Sequence, residues 1–292
     1  MTTEDHCFPA LLTFFLQELA AILMSILIQS VPVLDQYHPN DLALEEALDT
    51  LDPLRHFFKS LDETDSSPNS KADALIPSQP LPTVKEIVQL SFGTHPFRSP
   101  ISISLAVDAS PGCGGIAWPA GQVLAEYIAG LGPEFVKGKT VLELGSGTGL
   151  VGLIGAALGA GAVWITDQAP LLDIMSHNVL LNKLTSNVTV SELNWGEPLT
   201  DAIPHRPDLI LAADCVYYEP TFPLLVQTLS DLVNDEKTEV LFCYKKRRKA
   251  DKRFFILLKK KFTWAEVMDS PGREVYSREQ ISLIRLVKRQ YA

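Results

Sequence analysis

From residue 140 onward, short apolar segments typical of strands alternate with longer segments typical of helices. The segment TVLELG is followed by GLVGLIGAALGA, AVWITD by APLLDIMSHNVLLNKL, and DLILAAD by FPLLVQTLSDLV. Strands that alternate with helices of this length build a mostly parallel sheet that is covered on both faces and joined by right-handed crossovers. The sequence therefore predicts an α/β, Rossmann-like domain.

The two strand-like segments nearest the C-terminus, FTWAEVM and ISLIRLVKR, depart from this alternation. Only SPGREVYSREQ connects them, which is too short for a helical crossover, so we expect them to pair antiparallel. Two more strands, within PTVKEIVQLSF and PISISLAVDA, precede the alternating region. We also expect a helix after Trp118, because Pro119 is acceptable in the first turn of a helix.

The first part of the chain differs from the rest in composition. Residues 62–82 are polar and contain several prolines, which is typical of a linker. We therefore place a boundary near residue 80, which divides the chain into an N-terminal extension (1–80) and a main domain (81–292). Within the extension, residues 40–60 have the capped, periodic pattern of a helix.

Residues 8–34 are nearly all apolar and allow three interpretations: a packed or amphipathic helix, a membrane or interfacial anchor, or an incorrectly predicted exon. A secretory signal would begin with basic residues, which are missing here. A membrane span would need about 20 apolar residues without charge, whereas Gln17 and Glu18 interrupt this segment. We favour the packed or amphipathic helix and expect no stable membrane association.

Charge and cysteine spacing restrict the classes of partner. The net charge of −10 argues against general nucleic-acid binding, which depends on a basic surface, so we expect no direct contact with nucleic acid. The four cysteines form no CxxC pair and the six histidines are dispersed, so we expect neither a metal site nor a disulfide framework. A reducing compartment, the cytoplasm, is the expected location.

The stretch VLELGSGTGLVG, residues 141–152, places a glycine-rich loop between a strand and a helix. In open α/β sheets the ligand lies at the carboxyl ends of the strands, which is the position of this loop. Glycine allows a positive φ and close approach of the backbone to a ligand, and the helix amino terminus offers free N–H groups. The loop residues Gly145, Ser146 and Gly147 are therefore candidate cofactor contacts.

Two carboxylates accompany the loop. Asp167 ends the strand AVWITD and is placed to bind ribose hydroxyls, although it could instead cap the next helix. Glu143 precedes the first glycine by two residues, where its carboxylate can bond loop amides or attract a cationic ligand. The pattern GxGxxG also fits a dinucleotide, but a sulfonium cofactor with an amino-acid tail suits Glu143 better than a pyrophosphate does.

These residues resemble a known family. The motifs VLELGSGTGLVGL, ITDQAPLLDIMSHNVLLNK, ELNWGE and LAADCVYYEPTFPLLVQTL, in this order, are similar to those of seven-strand S-adenosylmethionine-dependent protein-lysine methyltransferases. The likeness is strongest to the group that includes the valosin-containing-protein and Hsp70 lysine methyltransferases and the fungal elongation-factor lysine methyltransferases. It spans about residues 100 to 290 and implies a seven-stranded methyltransferase fold that binds S-adenosyl-L-methionine.

The resemblance also implies roles for particular residues. Trp118, in GGIAWPAG, matches the tryptophan beside the methionine portion of the cofactor, although this chain has WPA where many relatives have WDA. Asp167 matches the ribose ligand, Trp195 the residue at the adenine edge, and Ala213 a backbone contact. Either tryptophan could instead be a packed core aromatic.

Asp214 and Tyr217 form the DxxY signature of this family, which lies where the target lysine enters. We hypothesise that both are catalytic: Asp214 accepts a hydrogen bond from, or pairs with, the incoming amine, and Tyr217 helps to enclose and orient it. Asp214 could alternatively cap the following segment, and Tyr217 could serve in packing. Tyr218 and Glu219 are weaker candidates for substrate recognition.

The expected substrate is a folded protein, with translation elongation factor 1-alpha as the leading candidate and a monomeric enzyme acting on it. Alternatives are another protein or small-molecule acceptor, a nucleic-acid methyltransferase, a non-catalytic cofactor-binding protein and an NAD-dependent oxidoreductase. An oxidoreductase would need a proton donor such as a Tyr-x-x-x-Lys pair, and none is apparent. The basic run KKRRKADKR, residues 245–253, could be a nuclear signal or a nucleic-acid patch, but we favour a solvated helix face.

Overall fold

The computed structural model describes residues 86–93, 99–108, 113–234, 237–270 and 272–289. The predicted extension 1–80, with its helix and linker, lies outside these residues. Within the described part, no helix is long and apolar enough to cross a membrane.

The described residues form nine strands and seven α-helices. The strands are β1 (Glu86–Phe92), β2 (Ile101–Val107), β3 (Thr140–Leu144), β4 (Ala162–Asp167), β5 (Val188–Glu192), β6 (Leu209–Ala213), β7 (Glu239–Lys245), β8 (Phe262–Glu266) and β9 (Ile281–Lys288). The helices are α1 (Pro119–Leu131), α2 (Pro133–Val136), α3 (Leu150–Ala157), α4 (Leu172–Leu181), α5 (Phe222–Leu232), α6 (Lys252–Leu258) and α7 (Arg273–Arg278). Short 3₁₀ turns occupy Cys113–Gly115, Ala169–Leu171 and Glu219–Thr221.

Seven strands form one sheet in the order β5-β4-β3-β6-β7-β9-β8. Strands β3 to β7 are parallel to their sheet neighbours within this group, and β9 is antiparallel to both β7 and β8. The predicted α/β fold and the antiparallel pairing of the last two strands are confirmed. The connection between those strands contains the short helix α7, which was not predicted because its six residues carry no apolar stripe long enough to recognise.

The central strands are apolar on both faces because helices cover both sides of the sheet. In β3, Val141 packs in a core with α1, α3 and α4, whereas Leu142 and Leu144 pack in a second core with α5 and α6. All three side chains are fully buried. Such two-sided burial explains the nearly continuous apolar runs in the sequence and fixes the carboxyl ends of β3, β4 and β6 side by side.

Strands β1 and β2 form a separate antiparallel hairpin. Two side chains of α4 bind the backbone of β2: Asn182 exchanges hydrogen bonds with Ser104, and Asn178 does the same with Ala106. These amides take the place of a neighbouring strand along β2. The hairpin thereby fixes the start of the segment that leads to α1.

Candidate active site

A cavity of about 810 Å³ opens at the carboxyl ends of β3, β4 and β6. Every cofactor-binding and catalytic residue predicted from the sequence lines it: Trp118, Glu143, Gly145, Ser146, Gly147, Asp167, Trp195, Ala213, Asp214 and Tyr217. Of the two weaker candidates, Tyr218 lines the cavity and Glu219 does not. The structure thus brings together residues from five separate parts of the sequence. Their individual roles remain predictions.

The loop between β3 and α3 needs glycine at two positions. Gly145 has φ +59° and Gly147 has φ +57°, a left-handed conformation that favours glycine. A Cβ atom on Gly145 would lie 2.9 Å from Cζ2 of Trp195, and one on Gly147 would collide with the carbonyl oxygen of Gly114. A side chain at either position would therefore clash with its neighbours in the cavity wall and displace them.

Ser146 ties this loop to the neighbouring strand β4. Its backbone N–H donates to the carbonyl of Thr166 at 2.9 Å, and its Oγ accepts a hydrogen bond from the backbone N–H of Thr166 at 2.8 Å. The Thr166 hydroxyl in turn donates to the carbonyl of Glu143 at 2.6 Å. The loop is consequently fixed in place before any ligand arrives.

Glu143 is buried beneath the loop, where its Oε2 accepts a hydrogen bond from the backbone N–H of Gly152 at 2.9 Å. Burial raises the pKa of this carboxyl to about 8, against the opposing effect of hydrogen bonds from Gly152, Ser146 and Val151. The partner is thus an amide of α3 rather than one of the loop. A buried carboxyl with such a pKa gains a proton at neutral pH unless a cation stabilises its charge.

Asp167 sits at the end of β4 beside the loop. Its Oδ2 accepts from the N–H of Gly147 at 2.8 Å, and its Oδ1 accepts from the N–H of Gln168 at 2.8 Å. Burial raises the pKa of Asp167, and the two N–H groups partly offset that rise. The carboxylate therefore positions the loop while lining the cavity.

Trp195 and Trp118 both form part of the cavity wall. Trp195 packs against Gly145, and Trp118 occupies the position before α1, with Pro119 in the first turn as predicted. The guanidinium carbon of Arg247 lies 5.6 Å from the centre of the Trp118 ring, within cation–π range. Both tryptophans are half-buried, so each offers part of an aromatic surface to the cavity.

Asp214 lines the cavity in a tightly constrained conformation. It has φ +55°, an unusual conformation outside glycine, and its side chain is 3% exposed. Its Oδ1 accepts from Arg247 Nη1 at 2.8 Å and from the N–H of Lys245 at 3.1 Å, and its Oδ2 accepts from the N–H of Ala120 at 3.3 Å. A carboxylate offers about four acceptor positions, so within the described residues Oδ2 has one left.

The bond to Ala120 places Asp214 at the amino terminus of α1. The residue before this helix is Trp118, which has no side-chain oxygen to cap it. Asp214 supplies the acceptor from another part of the chain, and its negative charge interacts favourably with the helix dipole. Asp214 thus caps α1 rather than the segment that follows it in sequence.

Arg247 is the site residue that sequence reasoning missed. The basic run 245–253 was expected to be a solvated helix face, but this expectation is wrong: only Lys252 and Arg253 lie in α6, and two arginines of the run are buried. The side chains of Arg247 and Arg248 are 5% and 3% exposed, because they form ion pairs with Asp214 and Asp251. The sequence carried only a partial signal: the run begins where a strand ends, at the same sheet edge as Asp214, but nothing in it indicates that Arg247 is buried.

The cavity offers neither a reactive thiol nor, among the described residues, a cluster of metal ligands. Cys215 lines it, but burial raises the pKa of this thiol well above its usual value, so the thiol stays protonated and unreactive. Among the described residues, no cluster of three or more His, Cys, Asp and Glu side chains is arranged to hold a metal ion.

The cavity fits S-adenosylmethionine, the cofactor implied by the family resemblance. Its glycine-lined floor leaves room for a ligand against the backbone, and Asp167 offers carboxylate oxygens to ribose hydroxyls. Glu143 and Asp167 suit a ligand with positive charge, and Trp195 with Leu193 offers an apolar surface to a flat base. These are the donor and acceptor types that the cofactor requires.

This chain is similar to known proteins. Residues 98–261, more than half of the chain, match a family model described as lysine methyltransferase. Protein-lysine N-methyltransferase EFM6 of Saccharomyces cerevisiae is 41% identical over 202 residues, which is 61% of this chain and 82% of that protein.

Two animal proteins are also similar. Protein N-lysine methyltransferase METTL21A of Danio rerio is 42% identical over 169 residues, covering 56% of this chain and 76% of that protein. EEF1A lysine methyltransferase 3 of Mus musculus is 39% identical over 139 residues, covering 47% of this chain and 59% of that protein. The match to the family model and the extent of these similarities show that this chain belongs to the lysine methyltransferase family.

Proposed function

We propose that this S-adenosylmethionine-dependent protein-lysine N-methyltransferase modifies a translation elongation factor, with elongation factor 1-alpha as the leading candidate. Membership of the lysine methyltransferase family gives the activity. The substrate proposal is supported by the similarity to a mouse protein named as an EEF1A lysine methyltransferase.

One observation carries the catalytic part of the proposal: Asp214 lines the cavity and keeps one acceptor position on Oδ2. Its three internal donors hold the carboxylate in a single orientation. An incoming lysine amine can donate to Oδ2 without displacing any of them. Asp214 is therefore suited to orient the amine, which is the larger part of what methyl transfer requires.

When bound, S-adenosylmethionine supplies a methyl group on a positively charged sulfur, which leaves as a neutral thioether while the lone pair of the lysine nitrogen forms the new N–C bond. The residues that would hold it are Trp118, Glu143, the loop Gly145–Gly147, Asp167, Trp195 and Ala213. Their part is to bind and orient. None of them needs to form a covalent bond.

The lysine amine must be neutral to react, yet its ordinary pKa is about 10.4. A partly dry, apolar surrounding lowers that pKa because it disfavours the charged form. The half-buried Tyr217 and the buried Leu193 contribute such surroundings within the cavity. The proton released by the amine passes to solvent at the open end of the cavity, so no strong base is needed.

The open end of the cavity has an aromatic and aliphatic rim that suits a protein surface. Tyr218 is 36% exposed and Leu224 is 42% exposed, and both line the cavity. Solvent-exposed apolar side chains next to a reactive centre are typical of contact sites. Tyr218 thus remains a candidate for substrate recognition, together with Glu219.

Methylation of purified proteins tests the identity of the substrate. The full chain, radiolabelled S-adenosylmethionine and elongation factor 1-alpha from cells that lack this enzyme are incubated together, with Hsp70 from the same cells as the comparison substrate. We expect labelled methyllysine in elongation factor 1-alpha and none in Hsp70. Label confined to Hsp70 or to another protein would overturn the substrate proposal while leaving the activity intact.

We further propose that the enzyme is monomeric and acts in the cytoplasm. An elongation factor substrate, which acts in translation, supports the cytoplasmic location. Light scattering after size-exclusion chromatography tests the oligomeric state, and a mass near 32.1 kDa is expected for a monomer. A fluorescent fusion of the full chain tests the location, and exclusive nuclear or membrane signal would contradict the cytoplasmic proposal.

A further inference from the structure

Two ion pairs connect the basic segment, residues 245–253, to the substrate loop, residues 214–219. Arg247 pairs with Asp214 at 2.8 Å, at one end of the loop. Arg253 pairs with Glu219 at 2.7 Å, at the other end. The basic segment therefore holds the loop that carries Tyr217 and Tyr218 from both ends.

The two pairs differ in their surroundings. The side chains of Arg247 and Asp214 are 5% and 3% exposed, whereas those of Arg253 and Glu219 are 37% and 35% exposed. Charges interact strongly in a buried, low-dielectric site and weakly where water screens them. The charge of Arg247 therefore affects the electrostatic potential in the cavity, whereas the Arg253–Glu219 pair mainly anchors the loop.

A carboxylate beside the reacting amine has two opposite effects. It orients the amine by accepting a hydrogen bond, but its negative charge stabilises the ammonium form and so raises the pKa of the amine. Methyl transfer needs the neutral form. A suitable carboxylate at this position accepts a hydrogen bond from the amine while a cation on its other side neutralises its charge.

We propose that Arg247 is a positioning residue that gives Asp214 this property. Its guanidinium binds Oδ1 at 2.8 Å and leaves Oδ2 to the amine, so the lysine meets an acceptor whose charge is already compensated. Arg247 also contacts the ring of Trp118, another part of the cavity wall. This inference rests on the proposed function, since it assigns a role only if a lysine amine reaches Asp214.

Other charged groups lie near the pair. Asp251 accepts from the backbone N–H of Arg247, but its charge is paired with the buried Arg248 at 3.0 Å. Lys245 lies 4.0 Å from Glu279. The titratable groups that line the cavity with Asp214 are Glu143, Asp167, Glu197, Cys215, Tyr217 and Tyr218. All of them stay unchanged in the variants below, so they affect every pH profile alike.

The test measures kcat against pH at saturating protein substrate with the full chain, because the pH dependence of kcat reports the ionisation of the enzyme-bound amine. We expect Arg247→Gln to lower kcat about tenfold at neutral pH and to move the midpoint of the basic-side rise up by about one pH unit, because Asp214 loses its compensating charge. Arg247→Lys keeps the charge and should retain the wild-type midpoint. A folded Arg247→Gln protein with an unshifted midpoint would overturn the proposal.

Two further variants cover the case in which Arg247→Gln does not fold. Asp214→Asn leaves the Arg247 charge uncompensated, so the midpoint of its residual activity should move down. The double variant Asp214→Asn with Arg247→Gln removes both charges and should return to the wild-type midpoint. Equal midpoints in the single and double variants would contradict the proposal.

Arg253→Met is the matched control, because it loosens the same loop at a screened ion pair. It should raise KM for the protein substrate and leave the pH midpoint in place. A shift as large as that of Arg247→Gln would mean that loop mobility, not charge, sets the profile. If the wild-type chain labels no lysine at all, the proposed function fails, which is distinguishable from an active enzyme with unshifted variants.

Discussion

The Oε2 atom of Glu143 accepts a hydrogen bond from the backbone N–H of Gly152 at 2.9 Å, and the side chain is only 2% exposed. This places an ionisable group beneath the cofactor loop with a pKa of about 8, compared with an ordinary value of 4.5. The carboxyl is therefore largely protonated at neutral pH in the free protein. A cationic ligand in the cavity favours its ionised form.

The first prediction concerns pH and cofactor binding. Because binding of the cationic S-adenosylmethionine favours ionised Glu143, its affinity should rise with pH up to about 8, by at most about tenfold per pH unit. Asp167, whose pKa is also raised, adds a slope of the same sign at lower pH. Glu143→Gln should lose most of the slope, as measured by isothermal titration calorimetry. Equal slopes in the two proteins would exclude Glu143 as the cause.

The same group affects the stability of the cofactor-free protein. Its pKa is raised on folding, so the folded state binds the extra proton and the contribution to stability is complete below about pH 4.5. That contribution is lost as the pH rises towards about 8. Denaturant titrations should show a free energy of unfolding that falls over this range in the wild type more steeply than in Glu143→Gln.

A second prediction compares two glycines. Gly147→Ala places a Cβ against the carbonyl of Gly114 at φ +57°, so cofactor affinity should fall at least about tenfold, with a stability cost of about 1–2 kcal/mol. Gly155 lies in α3, and nothing occupies the space of its Cβ. Gly155→Ala should raise the free energy of unfolding by up to about 1 kcal/mol. Cofactor titration and thermal denaturation distinguish the two effects.

A third prediction uses two asparagines of α4. Asn178 and Asn182 both bind the backbone of β2, but Asn178 also donates to the carbonyl of Thr148 in the cofactor loop at 2.9 Å. Replacing either by Leu leaves backbone groups of β2 unpaired and should cost about 1–3 kcal/mol. Only Asn178→Leu should also weaken cofactor binding. Equal binding in both variants would show that the hairpin and the loop are independent.

A fourth prediction concerns Asp167. Its two oxygens accept from Gly147 and Gln168, whereas an asparagine has only one acceptor oxygen. Asp167→Asn should therefore weaken cofactor binding about 10- to 100-fold, which corresponds to one unmet hydrogen bond in a buried site. The exposed Asp173, on α4, provides the control, because Asp173→Asn should leave binding unchanged.

The strands and the cofactor loop were predictable because their signals are local. Each segment such as TVLELG or AVWITD shows its burial in its own composition, and the loop glycines mark a positive φ directly in the sequence. The helix α7 was missed because six residues with one buried side chain, Tyr276, give no periodic signal.

The Asp214–Arg247 pair could not be predicted in the same way. The two residues are separated by 33 positions and follow different strands, and their contact depends on β6 and β7 being neighbours in the sheet. A run of basic residues usually indicates solvent exposure, and only the folded sheet shows that Arg247 turns inward. The binding of β2 by Asn178 is non-local for the same reason.

The most direct test of the central claim is transfer of radiolabelled methyl from S-adenosylmethionine to lysine in a lysate that lacks this enzyme, with wild type and Asp214→Asn compared and cofactor affinity measured for both. The account predicts methyllysine in one protein band with the wild type, at least about tenfold less with the variant, and similar cofactor affinity in the two. Full turnover by Asp214→Asn, or cofactor binding without any labelled lysine, would contradict it.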